Sequence, residues 1–258
     1  MESLVIYQVD ERIAEITINR PDKRNALNPS LVAELTTAFL TAQSDEDVKV
    51  IILKANGDVF SAGADLAYMQ QLQHFSYEEN IQDSTALKNL FETIRTLSKV
   101  VIAQVEGHAI AGGCGLATIC DFIFAVPEAK FGYTEVKLGF VPAIVSCYLV
   151  QKIGETLAKK LLLSGDLFTA EDALKYNLIT HVTKSETIHQ IVREFALDLS
   201  KNASKNSLTL TKQLINQATN SWLDSCLDNA ISVNAKTRES DDFKKGIASF
   251  LAKEKINW

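Results

Sequence analysis

Residues 100–140 constrain this chain more than any other segment. The apolar run Val100-Val101-Ile102-Ala103 leads into Gly107-His108-Ala109-Ile110-Ala111-Gly112-Gly113-Cys114-Gly115, and Leu116-Ala117-Thr118-Ile119 follows. Twenty residues beyond Gly115 stands the lone carboxylate of Glu135, between Phe131-Gly132-Tyr133-Thr134 and Val136-Lys137-Leu138-Gly139. A short block of β-branched residues reads as a buried strand. Glycines lack the side chains that keep a ligand away from backbone N–H groups. The start of a helix leaves such groups unpaired. The segment therefore reads as strand, glycine turn, buried helix and isolated acid. That arrangement suits negative charge developing on a ligand oxygen.

Strand–turn–helix units recur through the first two thirds of the chain. Segments 4–9 and 13–18 read as strands around a tight turn at Asp10-Glu11. Asn28 is a good helix cap and Pro29 suits the first helical position, with the helix running to about Gln43. A buried strand is expected over 48–53, then the small-residue turn Phe60-Ser61-Ala62-Gly63-Ala64-Asp65-Leu66. Ser76 with Glu79 forms a capping-box pattern for a helix reaching about Leu97. Strands at 100–105, 122–125 and 178–182 follow, with a helix start at Thr169, and from Ser185 onward the pattern is helical. The consequence is a mixed α/β architecture.

Composition narrows the partners. A formal net charge of −6 argues against nucleic acid and anionic membrane. No apolar run approaches the roughly 20 residues of a membrane span, and residues 1–10 lack a secretory signal. Cys114, Cys120, Cys147 and Cys226 show no metal-type spacing, so each is expected to act as a small buried hydrophobe in a reducing, cytoplasmic compartment.

The two turns share one design. Gly63-Ala64 and Gly112-Gly113 each follow a buried strand and precede helix, so two backbone N–H groups could meet one oxygen. Close strand–helix packing would call for the same glycines. Glu135 in apolar surroundings would have a raised pKa and trade protons near neutrality. The alternative is a surface carboxylate paired with Lys130 or Lys137. Lys23 and Arg24 are candidate phosphate contacts or solvated charge. Asp65 and Asp121 read as loop and cap formers, and His108 as a packed turn residue. Neither a GxGxxG, a phosphate-binding P-loop, nor a nucleophile elbow is present.

At these residues the chain resembles the enoyl-CoA hydratase/isomerase family, also called the crotonase superfamily. The markers are Asn19-Arg20-Pro21 through Asn25-Ala26-Leu27-Asn28, 60–66, 107–121, 131–139, and Leu163-Ser164-Gly165 with 170–178. The resemblance implies a spiral of ββα units over 1–184 and a helical region over 185–258 that drives trimerisation, trimers often pairing into hexamers. It implies an acyl-CoA substrate, with CoA as part of that substrate, no separate cofactor and no metal. The thioester enolate would be held by the N–H groups of Ala64 and Gly112, with Glu135 as acid and base. Lys23, Asn25 and Ala26 would line the pantetheine and phosphates. Ala62, Asp65 and Leu66 belong to the loop that would receive the adenine, and Gly113 and Tyr133 complete the substrate-binding set.

The departures are informative. Hydratases of the standard kind carry a further glutamate at the position of Gly115, and the glycine-rich stretch after the second glutamate is replaced by Val141-Pro142-Ala143-Ile144-Val145-Ser146. The 131–146 segment is most similar to the bacterial methylglutaconyl-CoA hydratase-like branch. The resemblance implies addition of water to a 2-enoyl-CoA, with 3-methylglutaconyl-CoA as the finer expectation. A Δ3-Δ2-enoyl-CoA isomerase, which needs a single base, is the runner-up. Decarboxylation and a catalytically silent CoA-binding role use the same features. A carboxylate on the acyl group would want a basic partner, and the sequence identifies none.

Overall fold

The computed structural model describes residues 3–256 and 258. In chain order the elements are β1 (Val5–Asp10), β2 (Ile13–Ile18), α1 (Pro29–Ser44), β3 (Val50–Ala55), β4 (Val59–Ser61), α2 (Leu66–Leu72), α3 (Tyr77–Thr96), β5 (Val100–Val105), β6 (His108–Ile110), α4 (Gly112–Thr118), β7 (Phe122–Ala125), β8 (Lys130–Gly132), α5 (Ala143–Ser164), β9 (Phe168–Thr169), α6 (Ala170–Lys175), β10 (His181–Val182), α7 (Ile188–Asn202), α8 (Lys205–Glu239) and α9 (Asp241–Ala252).

Two sheets organise them. The larger runs β1-β2-β3-β5-β7-β10 and the smaller β4-β6-β8-β9. β1 and β2 are antiparallel, and β2, β3, β5 and β7 continue in parallel, with Ile13 opposite Val50 and Val50 opposite Val100. All of β5 is buried, as a parallel strand covered on both faces requires. The β1–β2 turn falls on Glu11 and Arg12, both at positive φ, one residue later than Asp10-Glu11. Asn28 Oδ1 accepts from Leu31 N at 2.9 Å, and Ser76 and Glu79 cap α3 reciprocally.

One apolar core runs from Val5 to Ala230, so α7 and α8 pack on the same core as the strands. A satellite of Met69, Phe243 and Ile247 ties α2 to α9. The expectation that all four cysteines are isolated hydrophobes is corrected at two of them. Cys147 of α5 and Cys226 of α8 form a disulfide with Cα atoms 6.1 Å apart, while Cys114 and Cys120 are free and buried. Among the described residues no helix is long and apolar enough to cross a membrane.

Candidate active site

Strands β4 and β6 lie side by side in parallel, so the turns that leave them emerge together. Gly63 sits at φ +85, and a Cβ there would lie 2.9 Å from both Ala111 Cβ and Ile110 O and 3.6 Å from Gly112 N. Only glycine fits this approach. Ala111 is held at φ 51, ψ −127, a region that residues with a Cβ rarely enter. Its N–H donates to Gly132 O at 2.7 Å, which helps to fix it there. Gly112 then opens α4. Among the described residues the N–H groups of Ala64 and Gly112 find no acceptor in the protein.

Both residues line one cavity of about 1180 Å³. Lys23, Arg24, Ala26, Ala62, Asp65, Leu66, His108 and Glu135 stand in the same wall. Asn25, Gly113 and Tyr133, expected to bind substrate, lie off it for physical reasons. Asn25 is fully buried: its Nδ2 donates to Asn56 O and Val59 O at 2.8 and 2.7 Å, and its Oδ1 accepts from Arg20 N, so the side chain is occupied in holding the loop. Gly113 packs on Ser61 so tightly that a Cβ would lie 2.5 Å from its carbonyl oxygen. Tyr133 is buried in the core with its hydroxyl 3.1 Å from Thr118 Oγ1.

Asp65 caps α2, accepting from the N–H of Ala67 and Tyr68, and pairs with Arg20 at 2.6 Å. Burial pushes its carboxyl up, but the Arg20 and backbone donors outweigh that and hold it below the usual range. Asp121 accepts from Val101 N and Lys212 Nζ, and so links β5 to α8.

Glu135 begins the short turn Glu135–Leu138 and is 8% exposed. Its Oε2 has no hydrogen-bond partner, and Lys137 pairs with Asp166 instead. Burial raises the Glu135 carboxyl to about 7, opposed only by its own backbone N–H. The turn is braced from outside. Gly246 of α9 sits so close to the Leu138 backbone that no side chain would fit between them.

Position 115 leaves little room for a side chain. A Cβ on Gly115 would fall inside the contact distance of Val145 Cγ1 and lie 3.0 and 3.1 Å from Cε2 and Cζ of Phe91. A valine methyl and an aromatic edge fill the volume that a side chain would need. At the far end of α4, Lys152 of α5 donates to the carbonyls of Thr118 and Cys120 and so ties α5 to that helix terminus. Burial pulls the Lys152 ammonium down to about 8.

Sequence reasoning passed over Asp83, Asn234 and Arg238, which also line the cavity. They stand in long polar helices, where charge normally means solvent contact. Their only local signal is the four-residue spacing of Asn234 and Arg238, which places both on one face of α8.

The enoyl-CoA hydratase/isomerase description matches residues 8–258. This chain belongs to that family. Over 96% of its length it is 38% identical to a Thermus thermophilus protein provisionally named an enoyl-CoA hydratase, covering 98% of that relative. It is 34% identical to the crotonyl-CoA hydratase of Syntrophomonas wolfei, covering 98% of this chain and 97% of the other. A crystal structure of an enoyl-CoA hydratase from Mycobacterium avium superposes with a TM-score of 0.89 at 30% identity, over 100% of both chains. The fold is therefore the crotonase fold, and an acyl-CoA ligand fits the family.

Proposed function

We propose that this chain adds water across the C2–C3 bond of a 2-enoyl-CoA, or removes it, with Glu135 as the single acid–base group. The observation that carries the reading is a buried carboxyl whose Oε2 has no partner, lining the same cavity as two uncommitted backbone N–H groups, with burial pushing that carboxyl up to about 7. In this reading Glu135 takes a proton from water as the water oxygen bonds to C3. Negative charge moves to the thioester oxygen, where the N–H groups of Ala64 and Gly112 hold it. Glu135 then returns the proton to C2. Such donor pairs are worth several kcal/mol when water is excluded. The scheme needs no metal and no cofactor beyond the CoA of the substrate.

The curated relatives include the hydratase of Syntrophomonas wolfei, which supports hydration over the alternatives. One observation favours a second reading. The packed volume at Gly115 leaves no second acid, and a Δ3-Δ2 isomerase needs only one base. Parallel assays with 2-enoyl and 3-enoyl thioesters, 3-methylglutaconyl-CoA among them, separate the two. Hydrated product from the 2-enoyl substrate, lost in Glu135→Gln, supports hydration. Isomerised product with no hydrate overturns it. A homotrimer or dimer of trimers accompanies the proposal. The exposed apolar residues Leu210, Leu214 and Trp222 on α8 support an assembly, and mass measurement in solution tests it.

A further inference from the structure

Part of the cavity wall is a polar group that the reaction above does not use. Arg238 is 5% exposed, with Nη2 2.7 Å from Asp83 Oδ2 and Nη1 donating to Asn80 Oδ1 at 3.1 Å. The Tyr68 hydroxyl donates to the other Asp83 oxygen at 2.6 Å. One helical turn before Arg238, Asn234 is 6% exposed and its Oδ1 accepts from Ser84 Oγ at 3.0 Å. The side-chain oxygens of Asn80, Asp83 and Asn234 are thus all engaged. Donors are left over. Arg238 Nε has no partner but is closed off by the protein itself, whereas Asn234 Nδ2, on the cavity wall, has no acceptor among the described residues.

Position matters as much as chemistry. Phe91 of α3 touches the Gly115 site, Leu87 lines the cavity one turn earlier, and Asp83 lies a turn beyond that. At 1.5 Å per residue, Asp83 stands roughly 12 Å along α3 from Phe91. An extended acyl chain advances roughly 1.25 Å per carbon, so one that starts beside Gly115 needs about nine or ten carbons to reach Asp83.

We propose that Asn234 and Arg238 form a subsite for an oxygen acceptor at the distal end of the acyl chain, so that the preferred substrates carry a carboxylate or hydroxyl there. The inference rests on reading the cavity as an acyl-CoA site. A methyl end would cover the Asn234 amide and leave it unpaired. An oxygen end pairs it, with the Arg238 guanidinium close behind, and sites built this way reject the analogue that lacks the oxygen. The Arg238–Asp83 pair is neutral overall, so a hydroxyl fits without added charge, whereas a carboxylate gains a charge-assisted bond.

The test is calorimetric binding of decanoyl-CoA, 10-hydroxydecanoyl-CoA and sebacyl-CoA to the full chain, with the hexanoyl and adipyl pair for shorter reach. We expect at least one oxygen-ended thioester to bind about tenfold or more tightly than its methyl-ended counterpart. In Asn234→Leu and in Arg238→Met that ratio falls to within about twofold. Should Arg238→Met fail to fold, Asn234→Leu carries the comparison alone. Methyl-ended thioesters binding as tightly as both oxygen-ended ones would overturn the subsite and leave the acyl-CoA reading intact. A ratio unchanged in Asn234→Leu would do the same. If no thioester binds, both proposals fall together.

Discussion

Replacing Glu135 by glutamine should make the ligand-free protein more stable in proportion to how much the carboxylate now costs it. The carboxyl ordinarily titrates near 4.5, and burial raises it to about 7 in the folded chain. At 1.36 kcal/mol per pKa unit, the difference corresponds to about 3 kcal/mol. The sign follows from the direction. Because the folded value lies above the unfolded one, the folded state holds the proton more tightly. The associated stability is fully present below pH 4.5, is lost as pH rises toward 7, and stays lost above it. Glutamine has the shape of the protonated acid and no charge to bury. Wild type and Glu135→Gln should therefore melt together at pH 4, whereas at pH 8.5 the variant should melt roughly 6–10 °C higher, given the usual dependence of Tm on stability in a chain of this size. Circular dichroism melts at the two pH values, without ligand, provide the measurement. Coincident melts at pH 8.5 would refute the reasoning, because they would mean that the ionised carboxylate finds donors in the folded protein. The same substitution should abolish turnover, so the gain in stability and the loss of activity belong to one atom pair.

Three further outcomes follow from the same geometry. The kcat/KM of the wild type should rise with pH through about 7 as Glu135 ionises, and a pH–rate profile flat from 5 to 8 would exclude Glu135 as the base. Gly115→Ala should destabilise the chain by about 1–2 kcal/mol, overpacking against Val145 and Phe91 outweighing the gain in helix propensity. Adding Val145→Ala should recover that loss in a double-mutant cycle, and additive effects would show that the two positions do not share volume. Reducing the Cys147–Cys226 bridge, whose partners are 79 residues apart, should lower stability by up to about 4 kcal/mol, as a melt with and without thiol reductant would read.

The sequence made the strong elements of the larger sheet readable and the small sheet nearly invisible. Val100–Val105 and Phe122–Ala125 stand where their β-branched and aromatic runs put them, and Asn28 and Ser76 cap as their side chains dictate. Strands β4, β6, β8 and β9 have two or three residues each, too few for any periodicity to register. Their pairing is a product of tertiary packing. Helix α5 is also hard to read, since Gly154, at φ +77, interrupts its pattern. In the site, glycines marked the turns because backbone proximity demands them. The family pattern points Asn25 and Tyr133 at the ligand, yet one is spent on loop carbonyls and the other on Thr118. Which polar groups are already satisfied is a three-dimensional fact. For the same reason Arg238, 103 residues from Glu135 in sequence, could not be joined to the cavity before folding was known.

The crowding around Gly115 also bears on how this chain can evolve. Two of the four glycine codons lie a single nucleotide from a glutamate codon, so the absent carboxylate is a near neighbour in sequence space. Each such substitution collides with a methyl group and a ring edge that must be pared back first. A lineage beginning from this protein would need to carve space in α5 or α3 before a two-acid mechanism became reachable, and every intermediate would meanwhile work with one proton shuttle.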